Sequence, residues 1–318
     1  MTPGHGHDRN GHGAAPAGLA TRAAIASVSV ALFLLLLKAY AAWATGSVAM
    51  LGSLADTALD VLASLITLYG VRLAATPADE GHRFGHGKAE ALAALAQVGI
   101  IAVSAVGIGW RAVARLIEGE ATAHAEYGIG VSLLALCTTL GLLWYQRRVI
   151  ARTGSVAIEA DHVHYQSDLL LNLSVIVALV LDQYLGLTGA DPAFGVAIAL
   201  WLLFGAWRAS ARAIDQLMDK EWPEEKRQAF LKVAAQHPQL SGIHDLRTRT
   251  SGADDFVQFH VWVAPDMTVA EVHRVMEEVE EKLRAAFPGT EILIHPDPDG
   301  HTDVEGLLPT ELTEERER

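Results

Sequence analysis

The stretch "ADHVHYQSDLLLNLSVIVALVLD" (residues 160–182) places two conflicting demands side by side. From Leu169 onward it is apolar enough to enter lipid, yet Asp161, His162, His164 and Asp168 stand directly before that run. A charged side chain at the bilayer centre costs at least ~2.5–3.5 kcal/mol, so groups at this depth need a compensating partner. His164 and Asp168 are four residues apart, which puts them on one face of a helix. The stretch "LADTALD" (54–60) repeats the device with Asp56 and Asp60. Two helices presenting two such groups each can close a four-coordinate site of three carboxylates and one imidazole. That ligand set suits zinc, which takes His nitrogen and carboxylate oxygen in a tetrahedron. Magnesium prefers six oxygens, and copper(I) wants thiolates. The bland alternative for either pair alone is interhelical hydrogen bonding; two identically spaced pairs on separate spans favour the metal. Asp161 and His162 are read as residues at the mouth of the site or just behind its ligands.

The rest of the chain fits a membrane protein. Of 318 residues, 51% are hydrophobic and 19% charged, where soluble domains carry nearer ~25% charged. The net charge of −13 speaks against nucleic acid as a partner. The single cysteine, Cys137, lies in an apolar run and reads as a small buried residue. Six candidate spans fall near 19–43, 48–71, 90–117, 128–147, 156–184 and 191–212, each close to the ~20 residues a bilayer needs. The second and fifth are the weakest, because both carry ionisable residues. Arg72, Arg83, Lys88, Arg147, Arg148, Arg152, Arg208, Arg212 and Lys220 all fall in alternate linkers, at the adjoining span ends or after the sixth span. The positive-inside rule then puts both termini in the cytoplasm. Arg111 and Arg115, near the outer end of the third span, run against the rule and are read as snorkelling or as partners of Glu118 and Glu120.

After "DKEWPEE" (219–225) the composition changes. An amphipathic helix over 224–237, strands at "IHDLRTRTSG" and "DFVQFHVWVA", a helix from about Thr268 to Phe287 and a last strand "TEILIHPDP" make an α-β-β-α-β domain. The expected organisation is a His-rich disordered tail (1–17), a six-helix transmembrane domain (18–214), a small cytoplasmic α+β domain (215–298) and a solvated acidic tail (299–318).

Three further clusters carry metal-type ligands. Asp79, His82 and His86 share a glycine-rich loop after the second span. His244, His260 and His295 fall on the three expected strands, and Asp297 lies on the same face as His295, since strand side chains alternate; His273 lies on the helix between. His5, His7 and His12 stand among glycines near the N-terminus and read as a metal-chelating tail.

Taken together, "LADTALD", "HRFGHGKAEALAAL", "ADHVHYQSD", "HDLRTRTSG" and "IHPDP", in that order, resemble the cation diffusion facilitator family, and within it the bacterial zinc and ferrous-iron efflux branch. The resemblance spans about residues 20 to 298. It implies a metallochaperone-like cytoplasmic domain and a homodimer joined through that domain and the membrane–cytoplasm boundary. It also implies a location in the bacterial inner membrane. By position it gives Asp56, Asp60, His164 and Asp168 the transport site, and Asp79, His82 and His86 a loop site. His244, His260, His273, His295 and Asp297 match a cytoplasmic binuclear site, and Lys88 with Asp219 matches a charge interlock. Pro296 stands where relatives often carry a polar residue. In the family, two aspartates on the second helix go with zinc and tolerate cadmium.

The activity expected is efflux of zinc, transported and also regulatory, against protons as counter-ion, with His164 as proton carrier because imidazole titrates near neutral pH. Ferrous iron or manganese as cargo, and a zinc sensor that moves nothing, are the alternatives. An intramembrane aspartyl protease fits poorly: four ligands would fill a zinc site and leave no catalytic position open, and "HExxH" is absent.

Overall fold

A computed structural model describes residues 14–45, 48–118, 129–185, 190–236 and 241–299. His5, His7, His12 and the acidic tail from residue 300 lie outside the described residues. The chain divides into two compact units, one over residues 16–214 and one containing 215–318.

The first unit is built from six long helices: α1 (Ala14–Thr45), α2 (Val48–Ala74), α3 (Ala89–Glu118), α4 (Ile129–Thr153), α5 (Val156–Leu185) and α6 (Ala190–Leu217), whose last turn passes into the second unit. Their pattern is the inverse of a soluble bundle. Leu36, Val103, Trp110, Phe204 and Trp207 are exposed, while Ser27, Ser64, Thr67, Gln97, Gln146 and Asp161 are buried. Apolar side chains turned outward suit lipid, and polar groups turned inward must find partners among neighbouring helices. Small residues set the spacing. Ala20, Ala23, Ala24, Ala93 and Ala157 belong to one buried cluster. A Cβ on Gly70 of α2 would come within 2.2 Å of the Ala93 Cβ on α3, so only glycine allows that approach. Helix α5 packs against α2, α3 and α4.

Among the described residues, four helices carry a stretch long and apolar enough to cross a bilayer by length and composition: α1, α2, α3 and α6. The second span, expected to be weak, is among them. Helix α4 ends with Gln146, Arg147, Arg148 and Arg152, and α5 begins with Glu159, Asp161, His162, His164 and Asp168.

In the second unit, α7 (Glu224–Ala234), β1 (Ser241–Ser251), β2 (Asp254–Val263), α8 (Val269–Ala286) and β3 (Thr290–Pro298) follow in the expected order. The sheet order is β1-β2-β3, with β1 antiparallel and β3 parallel to β2. The β1–β2 turn passes through Gly252 at φ 63°, a left-handed conformation that favours glycine. Thr268 caps α8 by accepting from the Glu271 backbone N–H, while the Glu271 side chain accepts from the Thr268 N–H. Phe230, Leu231, Phe259, Val261, Val275, Val279, Leu283, Ile292 and Ile294 form the core of the unit.

Candidate metal centres

In the first unit, α2 and α5 bring Asp60, His164 and Asp168 together, each with a ligand atom within 4.8 Å of the others. His164 Nε2 lies 3.1 Å from Asp60 Oδ1 and 4.0 Å from Asp168 Oδ2. His164 is 5% exposed, so its ring is held inside the bundle with its Nε2 toward the two carboxylates. Ser167 supports the turn: its Oγ donates to the His164 carbonyl at 2.5 Å and stands 3.4 Å from Asp168 Oδ1. Asp56, the fourth expected ligand, is exposed one turn away on α2 and is not among the three.

The surroundings contain residues that periodicity did not single out. Lys38 of α1 donates through Nζ to Thr57 Oγ1 at 2.6 Å, placing an ammonium beside the helix that carries Asp56 and Asp60. Tyr165 shares a hydrogen bond with Ser64 of α2 at 2.9 Å and donates to the Ser27 carbonyl of α1 at 3.1 Å. Asp161, expected at the mouth or just behind the ligands, is fully buried rather than at an opening. Its carboxylate accepts from Gln146 Nε2 at 2.8 Å and Gln97 Nε2 at 3.4 Å. His162 is turned to Gln146 instead, Nδ1 to Oε1 at 3.1 Å.

The loop after α2 gathers Asp79, His82 and His86. Asp79 Oδ1 accepts from the backbone N–H groups of His82 at 2.6 Å and Gly81 at 2.9 Å. The His82 N–H, ahead of that of Gly81, holds the Asp79 carboxyl below its ordinary range and so keeps it ionised. His86 Nε2 lies 3.4 Å from Asp79 Oδ2, and the two imidazole rings are 4.4 Å apart. Gly85, at φ 79°, allows the chain to double back between the histidines.

In the second unit, His244, His260 and Asp297 converge. His244 and His260 are register partners on β1 and β2, and His260 is level with His295 on β3. Asp297 Oδ2 lies 2.9 Å from His260 Nδ1 and 3.2 Å from His244 Nε2. His295 Nε2 is 3.3 Å from the other oxygen, Oδ1. Asp245 joins from the side, its Oδ2 3.9 Å from His260 Nε2. It sits at φ 54° where the β1–β2 register shifts between His244 and Arg247, an irregularity that re-aims neighbouring side chains. His244 Nδ1 and Asp245 Oδ1 are both buried without a hydrogen-bond partner. A set of imidazoles and carboxylates with unused buried donors and acceptors fits a dication of the zinc type. His273 is not brought to this group: it is exposed on α8 and pairs with Glu277 at 3.3 Å.

Lys88 stands just before α3 in the first unit, and Asp219 follows α6 in the second, where Arg249 Nη1 approaches it at 3.5 Å.

This arrangement, metal-type ligands inside a helical bundle and again on a small sheet, defines a membrane protein that handles cations. The description "Cation efflux transmembrane domain" matches residues 24–218, and "Cation efflux protein, cytoplasmic domain" matches 222–299. The chain is 43% identical over 280 residues to the cation-efflux pump FieF of Cronobacter sakazakii, covering 88% of this chain and 93% of that one. It is 42% identical over 280 residues to the cation-efflux pump FieF of Pectobacterium atrosepticum, with the same coverage. For that of Klebsiella pneumoniae the identity is 41% at the same coverage. The chain belongs to the cation efflux, or cation diffusion facilitator, family. It is a membrane transporter of metal cations and not an enzyme.

Proposed function

We propose that this transporter exports zinc from the cytoplasm in exchange for protons. The observation that carries the reading is the convergence of Asp60, His164 and Asp168 inside the bundle. One imidazole and two carboxylates, with Asp56 one turn from Asp60, supply a zinc-type ligand set. Three carboxylates around a dication leave one net negative charge. His164 must be neutral to bind zinc and can carry a proton once the ion leaves. In alternating access, the site loads zinc and sheds protons toward the cytoplasm, then reprotonates and releases zinc on the more acidic side. The orientation follows the distribution of Arg and Lys, with both termini cytoplasmic and the protein in the inner membrane.

The remaining ligand groups take supporting roles. His244, His260 and Asp297, with His295 on the second Asp297 oxygen, hold a regulatory zinc that tightens a homodimer through the second unit. His273 lies on the open face of α8 and adds a ligand only where the assembly brings it near. Asp79, His82 and His86 form a weaker loop site, exposed enough to exchange ions quickly. Lys88 and Asp219 provide the charge interlock at the membrane–cytoplasm boundary. The three domain limits anticipated from composition, at 17, 214 and 298, divide these roles.

The test is zinc uptake into proteoliposomes under an imposed pH gradient, with wild type beside Asp168→Ala. Gradient-driven uptake lost in the variant supports the reading. Zinc binding without flux in either protein would replace it with a sensor, and equal drive of ferrous iron or manganese with no zinc flux would change the cargo.

A further inference from the structure

Asp161 is a fully buried carboxyl that the zinc ligands do not use. It lies one helical turn before His164 and two before Asp168 on α5. Its hydrogen-bonding partners are neutral. Gln146 of α4 donates to Oδ2 at 2.8 Å and Gln97 of α3 approaches Oδ1 at 3.4 Å. Ser27 of α1 closes the group, accepting from Gln146 Nε2 at 3.0 Å. The ionisable groups that act on Asp161 are His164 and Tyr165 on its own helix and Asp60 on α2. From α1, α3 and α4 the groups that reach it are Ser27, Gln97 and Gln146.

An ionised carboxylate buried among neutral amides is costly, and the cost falls if the group carries a proton. The Gln97 amide gives an independent sign. Its side chain is fully buried, its Nε2 makes only the long contact to Asp161, and its Oε1 has no hydrogen-bond partner. Which end of a glutamine amide faces a neighbour is assigned from the hydrogen bonds it makes. Turning the amide over sets Oε1 against Asp161 Oδ1, and that contact is satisfied when an O–H stands on Oδ1. The chamber therefore has complementary hydrogen bonding for both states of Asp161: Gln97 Nε2 faces the carboxylate, and Gln97 Oε1 faces the acid.

We propose that Asp161, with Gln97, Gln146 and Ser27, is a buried proton site, separate from the zinc ligands, that holds a counter-ion while the zinc site is empty. The inference rests on the zinc–proton exchange proposed above. The O–H bond on Asp161 Oδ1 forms with a proton taken from water on the acidic side, and it breaks when that proton passes to cytoplasmic water. Zinc arriving between Asp60, His164 and Asp168, the nearest of which on α5 is one turn away, repels that proton and favours its release. The Gln97 amide turns over with each exchange and keeps either form hydrogen-bonded.

The test records zinc and proton fluxes together in proteoliposomes of the full chain, comparing wild type with Asp161→Asn. Asparagine has the same shape and can still accept from Gln146 but cannot exchange a proton. The expected result is zinc binding retained, downhill zinc flux retained, and fewer protons moved per zinc. A wild-type ratio of protons to zinc in Asp161→Asn overturns the proposal and leaves the exchange reading intact. Absence of proton flux in wild type removes the exchange reading and this inference with it. Should Asp161→Asn fail to fold, Gln146→Ala keeps the carboxyl and removes the amide that donates to Oδ2 at 2.8 Å, a bond stronger to the ionised form. Half-maximal zinc flux then moves to higher pH, and an unchanged pH profile in that variant overturns the proposal.

Discussion

His164 on α5 and Asp60 on α2 meet directly, Nε2 to Oδ1 at 3.1 Å. The contact joins the two helices whose ligand pairs make the proposed transport site. An imidazole held this way has its coordinating nitrogen aimed at a carboxylate, so a cation entering between them displaces one hydrogen bond and gains two ligands. Replacing His164 by Asp makes the set all-oxygen. His164→Asp should lose zinc preference and gain preference for harder ions such as manganese. Competition between the two metals in flux assays reads the change; unaltered zinc preference counts against the assignment.

Gly70 lets α2 and α3 approach closely, because a Cβ there would lie 2.2 Å from Ala93 Cβ and 3.2 Å from the Ala89 carbonyl oxygen. Gly70→Ala should destabilise the bundle by ~1–3 kcal/mol, the usual range for overpacking. Adding Ala93→Gly should restore most of that loss. Thermal unfolding of the purified single and double variants checks it; equal melting of all three would show that the helices part without cost.

In the second unit, Thr268 and Glu271 form a reciprocal cap on α8, with Glu271 Oε2 2.8 Å from the Thr268 N–H. Thr268→Ala should cost ~1 kcal/mol of that unit's stability. Limited proteolysis of the full chain, followed as a function of denaturant, should show earlier cleavage within 222–299 and no change in the bundle.

Asp254, at the end of the β1–β2 turn, has its carboxyl raised above the usual range by burial first, then by Asp255 and Glu291. The folded state thus holds the proton more tightly than the unfolded chain does. The associated stability is present below the ordinary carboxylate range and is lost as pH rises through the raised value. Asp254→Asn should therefore melt higher than wild type at pH 7, and the difference should shrink in acid. A gain that persists unchanged at low pH would assign the effect to something other than charge.

How much of this was legible in the sequence follows the range of the forces involved. Thr268 three residues before Glu271 marks a helix start by local hydrogen bonding, and α8 begins there. The four-residue spacing of His164 and Asp168 follows from helix periodicity alone. The alternation in "DFVQFHVWV" likewise gave β2, whose buried residues include Val257, Phe259, Val261 and Val263. What periodicity could not supply was helix rotation. Gln97 and Gln146 look like ordinary polar residues until packing turns α3 and α4 so that both face Asp161. The same rotation leaves Asp56 exposed, although its spacing from Asp60 matches that of the α5 pair. Asp245 escaped notice because its place beside His260 depends on a register shift in β1, and no residue there advertises one.

The most direct measurement is zinc flux driven by a pH gradient in proteoliposomes holding wild type, Asp60→Asn, or the double variant His244→Ala/His260→Ala. Asp60 lies in the bundle trio and the two histidines in the sheet trio. Loss of ~10-fold or more of the flux in Asp60→Asn, with the double variant still transporting, is the result expected. Flux that survives Asp60→Asn but disappears in the double variant would contradict a transport site inside the bundle.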